Sequence, residues 1–353
     1  MSRPSSWLFS APIDLGVFVG SAALSLALLA LAPRLAPAGG TPEWTWVIAI
    51  LLVDVAHVWS TAFVVYLDPV ERRRRPGLYL LVPLGGWLVG VALYAAGEMV
   101  FWRALAYLAV FHFVRQQYGW VALYRARAGD RDRAGAWIDG AAIYAATLYP
   151  LLVWHARLPR AFAWFRDGDF LAGVPETIVP AATIAYAAIL AAYVGRALRQ
   201  AATGPVAWGK HVVVATTAAC WYLGIVATDS DYAFTVTNVF IHGVPYLALV
   251  YLYGRSLAAG GASPRPWRTR LVPLLATVWA LAYAEELLWD RGVWHERAWL
   301  FGGALDLDAA HGWLVPLLAV PQLTHYVLDG VLWRRRSNPR VSALFQRAGA
   351  SWP

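Results

Sequence analysis

Ten apolar runs, most of about twenty residues, recur along this chain between about residue 13 and residue 333. A bilayer core about 30 Å thick needs about 20 apolar residues in a helix to cross it. No water is present there to satisfy backbone N–H and C=O groups, so such runs must be helical. The runs fall at about 13–33, 44–67, 77–97, 99–124, 137–156, 177–198, 207–228, 231–254, 271–289 and 310–333. They predict an all-α, polytopic integral membrane helix bundle of about ten transmembrane helices. It forms a single transmembrane domain over 1–353 that ends in a basic cytoplasmic tail at 334–353. Charged residues make up 14% of the chain, against roughly a quarter in a soluble domain. Met1 to Ser10 lacks the basic segment and small-residue cleavage site of a signal peptide, so the first run is expected to stay as a span.

Arginine placement orients the spans. Arg72 to Arg75, Arg125, Arg127, Arg131, Arg133, Arg196, Arg199, Lys210, Arg255, Arg265, Arg268 and Arg270 lie in alternate connections, with Arg3 at one end and Arg334, Arg335, Arg336, Arg340 and Arg347 at the other. The opposite connections hold Arg34, Arg157, Arg160, Arg166, Arg291 and Arg297. An even span count puts the rich set on one side, so both termini are expected to be cytoplasmic. The net charge of +8 comes from these loops and does not mark a nucleic-acid binder. The tail is expected to meet anionic lipid headgroups. One lysine among many arginines fits a GC-rich bacterial genome, hence a bacterial cytoplasmic membrane. The connections at 157–176 and 290–309 carry several aromatics and read either as short interfacial helices or as ordered loops. Very short turns at Glu98 and at Asp229-Ser230-Asp231 make the flanking helices antiparallel neighbours.

Polar residues inside these runs are costly and need partners, a cavity or a ligand. Four of the eight histidines sit well within spans: His57, His112, His242 and His325. Counted to the next arginine on the basic side, they stand 15, 13, 13 and 9 residues away. At 1.5 Å per residue that spread is about 9 Å, so all four share one slab of the membrane. Asp54, Asn238, Gln322, Asp329 and Glu285 fall in or beside it. His112, Arg115 and Gln116 stand at i, i+3 and i+4, so one helix face is expected to present all three to a site. Imidazoles from separate helices can surround a transition metal, and nearby carboxylates and amides can complete or orient the set. The metal set is read as His57, His112, His242, His325 and Asp54. Arg115, Gln116, Asp329 and Glu285 are read as catalytic groups. Pro245 and Pro321 are expected to kink their helices beside His242 and His325. His211 is expected at the interface, with a fifth ligand as the alternative, and Asp139 in solvent. The single cysteine, Cys220, excludes a multi-cysteine metal site.

Several of these stretches resemble the Brp/Blh family, bacterial membrane enzymes that split β-carotene with iron and dioxygen. The resemblance lies in His112-Phe113, in Phe240-Ile241-His242, in His325 with Asp329, and in the early His57, in the family's order. Tyr246 stands where the family has a further histidine, and Gln116 and Gln117 follow His112 where an aspartate is usual. The resemblance implies a histidine-bound iron site and an apolar substrate. The HxxxH and HxxHH boxes of membrane desaturases are absent.

Together these residues predict a membrane metal-dependent oxygenase or oxidase. Iron is the expected metal, with another transition metal or haem as alternatives. Its partners would be dioxygen, a lipid-soluble small molecule and membrane lipids. A proton-coupled transporter using the same His, Glu, Asp and Arg groups and a bis-histidine haem protein are the competing readings.

Overall fold

The computed structural model describes residues 5–37, 40–204, 206–260, 270–334 and 338–347. Arg3, Arg265, Arg268, Arg335, Arg336 and the side chain of Arg347, all used above for orientation, lie outside the described residues. The described chain is all-helical and contains no strand. Eight helices are long and apolar enough to cross a membrane: α1 (Ala11–Ala30), α2 (Glu43–Val64), α3 (Pro76–Ala96), α5 (Arg133–Ala156), α6 (Glu176–Thr203), α8 (Asp231–Ala259), α9 (Leu271–Trp294) and α10 (Asp308–Leu332). The other two expected spans fall on α4 (Glu98–Ala128) and on α7 (Trp208–Trp221, continued by Tyr222–Val226). Of these, α4 carries Glu98, Arg103, Arg115, Arg125 and Arg127, and α7 carries Lys210 and His211.

Helix ends follow local chemistry. Gly97 closes α3 with φ of 151°, a conformation that a side chain would strain. The Asp132 carboxylate caps α5 by accepting from the Ala134 N–H at 3.1 Å. α10 breaks at Ala319, two residues before Pro321, whereas α8 continues as one helix through Pro245. α2 is wound in the wider π form from Trp46 to Val55 and returns to α geometry one residue before His57. π segments are frequent beside functional residues.

The chain divides into two compact units. The first comprises residues 1–45, 110–245 and 342–353. In it α5 packs against α6 and α7, and α7 against α1. Gly209 opens this packing: a Cβ there would overlap the Tyr124 ring. The Tyr124 hydroxyl donates to Asp14 at 2.9 Å, and Asp14 also accepts from the N–H groups of Leu8 and Phe9. Phe9 in turn meets Phe345 of the short helix Pro339–Arg347, which buries Val341, Leu344 and Phe345. The 157–176 connection is an ordered loop up to Glu176, with Phe162 and Phe170 buried.

The second unit comprises residues 46–109 and 246–341. Here α2 packs against α9 and α10, and α3 against α10. Trp102, Trp289 and Trp294 cluster at 5.3 to 6.0 Å between ring centres. The 290–309 connection holds one short helix, Ala298–Phe301. Asp68 accepts from Arg340 at 2.8 Å.

One expectation is corrected in the first unit. Asp139 is not in solvent but fully buried. Lys210, itself 1% exposed, donates to it at 2.8 Å; Arg125 pairs with it and Arg196 lies 3.5 Å away. Cations from three other helices surround the carboxylate, and their charge compensates its removal from water. His211 is half-buried, its Nδ1 2.6 Å from the Tyr193 hydroxyl. Removing the carboxylate would strand Lys210 as a buried charge. Asp139→Ala is therefore expected to destabilise the protein by about 3–5 kcal/mol, read as a lowered unfolding temperature in detergent.

Candidate metal centre

Each unit brings two imidazoles together. In the second unit these are His57 of α2 and His325 of α10, 1% and 0% exposed, with ring centres 4.9 Å apart and planes at 85°. Tyr246 stands edge-on to both, at 5.8 and 4.9 Å. Thr61, one turn after His57, lies 2.8 Å from His325 Nδ1 and 3.2 Å from the Tyr246 hydroxyl. This holds the His325 ring through Nδ1 and leaves Nε2 as the candidate ligand atom. Tyr246 and Trp333 hydrogen-bond to Asp329, which follows His325 by one turn. Asp54 Oδ1 lies 3.6 Å from His57 Nδ1.

In the first unit the pair is His112 of α4 and His242 of α8, 4% and 0% exposed, with ring centres 5.1 Å apart and planes at 86°. Phe113 stacks on His242, with centres 3.5 Å apart and planes within 9°. The backbone beneath is secured by the two glutamines. Pro245 has no N–H, so the carbonyl of Ile241, four residues earlier, loses its helical donor. Gln117 Nε2 takes that place at 3.5 Å, the long end of a hydrogen bond, and its own oxygen accepts from Thr217 at 3.1 Å. Gln116 Nε2 donates to the His242 carbonyl at 3.1 Å.

Across the four rings, one nitrogen from each of His57, His112, His242 and His325 lies within 4.8 Å of all the others. Imidazole nitrogens sit about 2.1 Å from a transition metal, so ligands on opposite sides of one ion are about 4.2 Å apart. The observed spread is within a few tenths of an ångström per ligand of that value. The donor set is four buried imidazoles, a set suited to iron, copper, zinc or nickel. A metal ion can therefore be held by these four side chains.

The other expected site residues fall in different places. Asp54 and Asp329 border the His57–His325 pair, and neither belongs to the converging set. Glu285 is buried and clamped by two indoles, Trp59 Nε1 at 2.6 Å and Trp289 Nε1 at 3.4 Å. Gln116 is buried on the His112 side of α4, with its amide on the His242 backbone. Arg115 is a correction. It is exposed, bonded to the Tyr144 hydroxyl and stacked 4.9 Å over Tyr118, away from the imidazoles. Residues i+3 and i+4 diverge by about 100° around a helix, and Arg115 and Gln116 straddle His112 from opposite sides. Asn238, expected to orient His242, instead donates to its own helix at the Phe234 carbonyl, 2.9 Å away. Thr61, Tyr246 as a hydroxyl donor, and Gln117 were not singled out from sequence. Only Gln117 carried a signal, as an amide in a span that also meets a proline-broken helix.

No family model, curated protein or solved structure matches this chain. The reading of the site therefore rests on its geometry.

If Thr61 fixes His325, Thr61→Val keeps the shape and removes the hydrogen bond. Metal affinity is expected to fall by about 10–100-fold, the usual effect of losing a partner of a ligating imidazole. A chelator-competition titration would measure it. Arg115→Ala, by contrast, is expected to leave metal affinity within about threefold of wild type, because Arg115 faces away; a charge dependence there would show that it acts on the site at long range.

Proposed function

We propose that this protein is a membrane metalloenzyme in which His57, His112, His242 and His325 hold one iron ion and a lipid-soluble substrate is oxidised beside it. The convergence of four buried imidazole nitrogens within 4.8 Å is the observation that carries this reading. A purely packing role gives no reason for four costly groups from four helices to share one centre. Bound there, iron supplies one-electron chemistry and binding of dioxygen, which oxidation of apolar carbon requires.

The chain's own residues perform the supporting work. Thr61 and Tyr246 fix His325, and Gln116 and Gln117 hold the α8 backbone under His242. Phe113 and Tyr246 present aromatic surface beside the imidazoles, a lining that favours an apolar substrate over a charged one. Glu285, held by two indoles in the same unit, would carry protons. The likeness of the histidine motifs to the Brp/Blh family supports an extended hydrocarbon, such as a carotenoid, as substrate. The eight apolar helices, together with α4 and α7, support ten crossings of a bacterial cytoplasmic membrane with both termini inside.

The test is metal analysis of protein purified in detergent. About one equivalent of iron is expected for wild type, falling below about a tenth for His112→Ala and His242→Ala, with oxygen uptake on adding a polyene only in the wild type. Protein lacking any stoichiometric transition metal after iron-replete expression sinks the proposal, and a Soret band replaces it with the haem reading.

A further inference from the structure

The loop between α5 and α6 lies outside the candidate spans, yet its aromatics reach the His242 ring through one intermediary. Within the first unit, Phe113 covers a face of the His242 imidazole at 3.5 Å, and Trp164 of the loop meets Phe113 at 4.9 Å with planes at 85°. A parallel ring at that separation is in van der Waals contact, so the imidazole cannot tilt unless Phe113 moves. Phe113 is in turn backed by Trp164. Trp164 is itself wedged, 5.6 Å from Phe234 and 6.2 Å from Trp154.

The loop is fastened at both ends. Near its start, Arg160 Nε donates to Asp229 at 2.9 Å and the Ala161 N–H donates to the same carboxylate oxygen at 2.8 Å. Phe162 stacks on Phe234 with ring planes within 18°. Next to Trp164, Asp169 accepts from the N–H groups of Phe165 at 2.6 Å and Arg166 at 3.2 Å. Burial pushes the Asp169 carboxyl up from its ordinary value, against the pull of these N–H groups. Phe170 closes the far side by packing on Trp154 at 4.7 Å and stacking on His155 at 4.8 Å. The segment carrying Trp164 thus has little freedom to shift.

We infer that Trp164 is a positioning residue: acting through Phe113, it sets the plane of the His242 imidazole. The consequence for metal binding rests on the reading of the four histidines as a metal centre; the consequence for the ring itself does not. A ligating imidazole whose plane is released loses affinity even though its nitrogen is still present. A merely structural tryptophan would lower stability and leave the ring environment of the folded protein alone.

The experiment uses full-length protein with isotopically labelled histidine, reconstituted in nanodiscs without metal, and its His242 ring resonance is identified by its loss in His242→Gln. Trp164→Ala is expected to shift and broaden the His242 resonance while that of His57 stays in place, and Trp164→Phe is expected to restore it. Trp164→Leu makes the same comparison if the alanine variant does not fold. Trp299→Ala, at an exposed tryptophan of the other long connection, is the control and should change neither resonance. A His242 resonance unchanged in folded Trp164→Ala or Trp164→Leu overturns the inference. In a second arm, cobalt(II) titration should show affinity lowered about tenfold in Trp164→Ala and within about threefold of wild type in Trp164→Phe and Trp299→Ala. Wild type that takes up no cobalt or iron overturns the metal reading, and the resonance arm still decides the role of Trp164.

Discussion

A polar side chain on an apolar helix must be given a partner by another helix, and in this protein that requirement governs which helices meet. The cost of leaving an imidazole, an amide or a carboxylate bare in hydrocarbon is several kcal/mol, more than most packing preferences can offset. Three of the four central histidines have close neighbours that hold them. His325 has the Thr61 hydroxyl, His57 has Asp54 beside its Nδ1, and His242 has Phe113 over its face and Gln116 on its carbonyl. The same rule acts far from the centre. Asp139 draws Lys210, Arg125 and Arg196 around it, and Asp14 gathers Tyr124 and two backbone N–H groups.

Proline turns this rule into a means of specifying contacts. Pro245 sits three residues after His242 and strips the Ile241 carbonyl of its donor. The vacancy is then filled from another helix by Gln117, whose oxygen is fixed by Thr217. One missing N–H thus ties α8 to α4 and α4 to α7 at the level of the imidazoles. Pro316 and Pro321 act differently, by interrupting α10 at Ala319 just before the turn that carries His325. The π-wound half of α2 ends directly ahead of His57. Irregular backbone therefore precedes two of the four histidines, where a regular helix would fix the side-chain direction by its repeat alone.

How much of this was legible in the sequence follows from the range of the forces involved. The helices were legible to within a few residues, because span length is set by a local quantity, the apolar run against the bilayer thickness. The four-histidine set was legible too, because depth in the membrane can be counted along each chain segment separately. Arg115 was misplaced because a count of three or four residues leaves the direction around the helix open by about 100°. The neighbouring phenols, Tyr144 and Tyr118, decide that direction, and no spacing rule reports them. Asp139 was misjudged for the same kind of reason: its burial depends on three cations supplied by other helices. Thr61 and Trp164 carried no signal at all, since a threonine in a span and a tryptophan in a loop are ordinary, and only the fold brings them to a histidine or its support.

The carboxylates of the second unit bear on whether four imidazoles alone could hold an ion. Four imidazoles bring no charge, so a divalent ion among them would keep its full charge in a medium of low dielectric. Compensation must come from groups that do not touch it. Glu285 is held by indole N–H groups, and Asp329 by a phenol and an indole. These donors are uncharged, unlike the Arg and Lys groups around Asp139. Asp54 lies 3.6 Å from the His57 ring. In a medium of low dielectric, acids near the imidazoles and outside their set would, where ionised, offset the charge of an ion held there while leaving its coordination to the imidazoles.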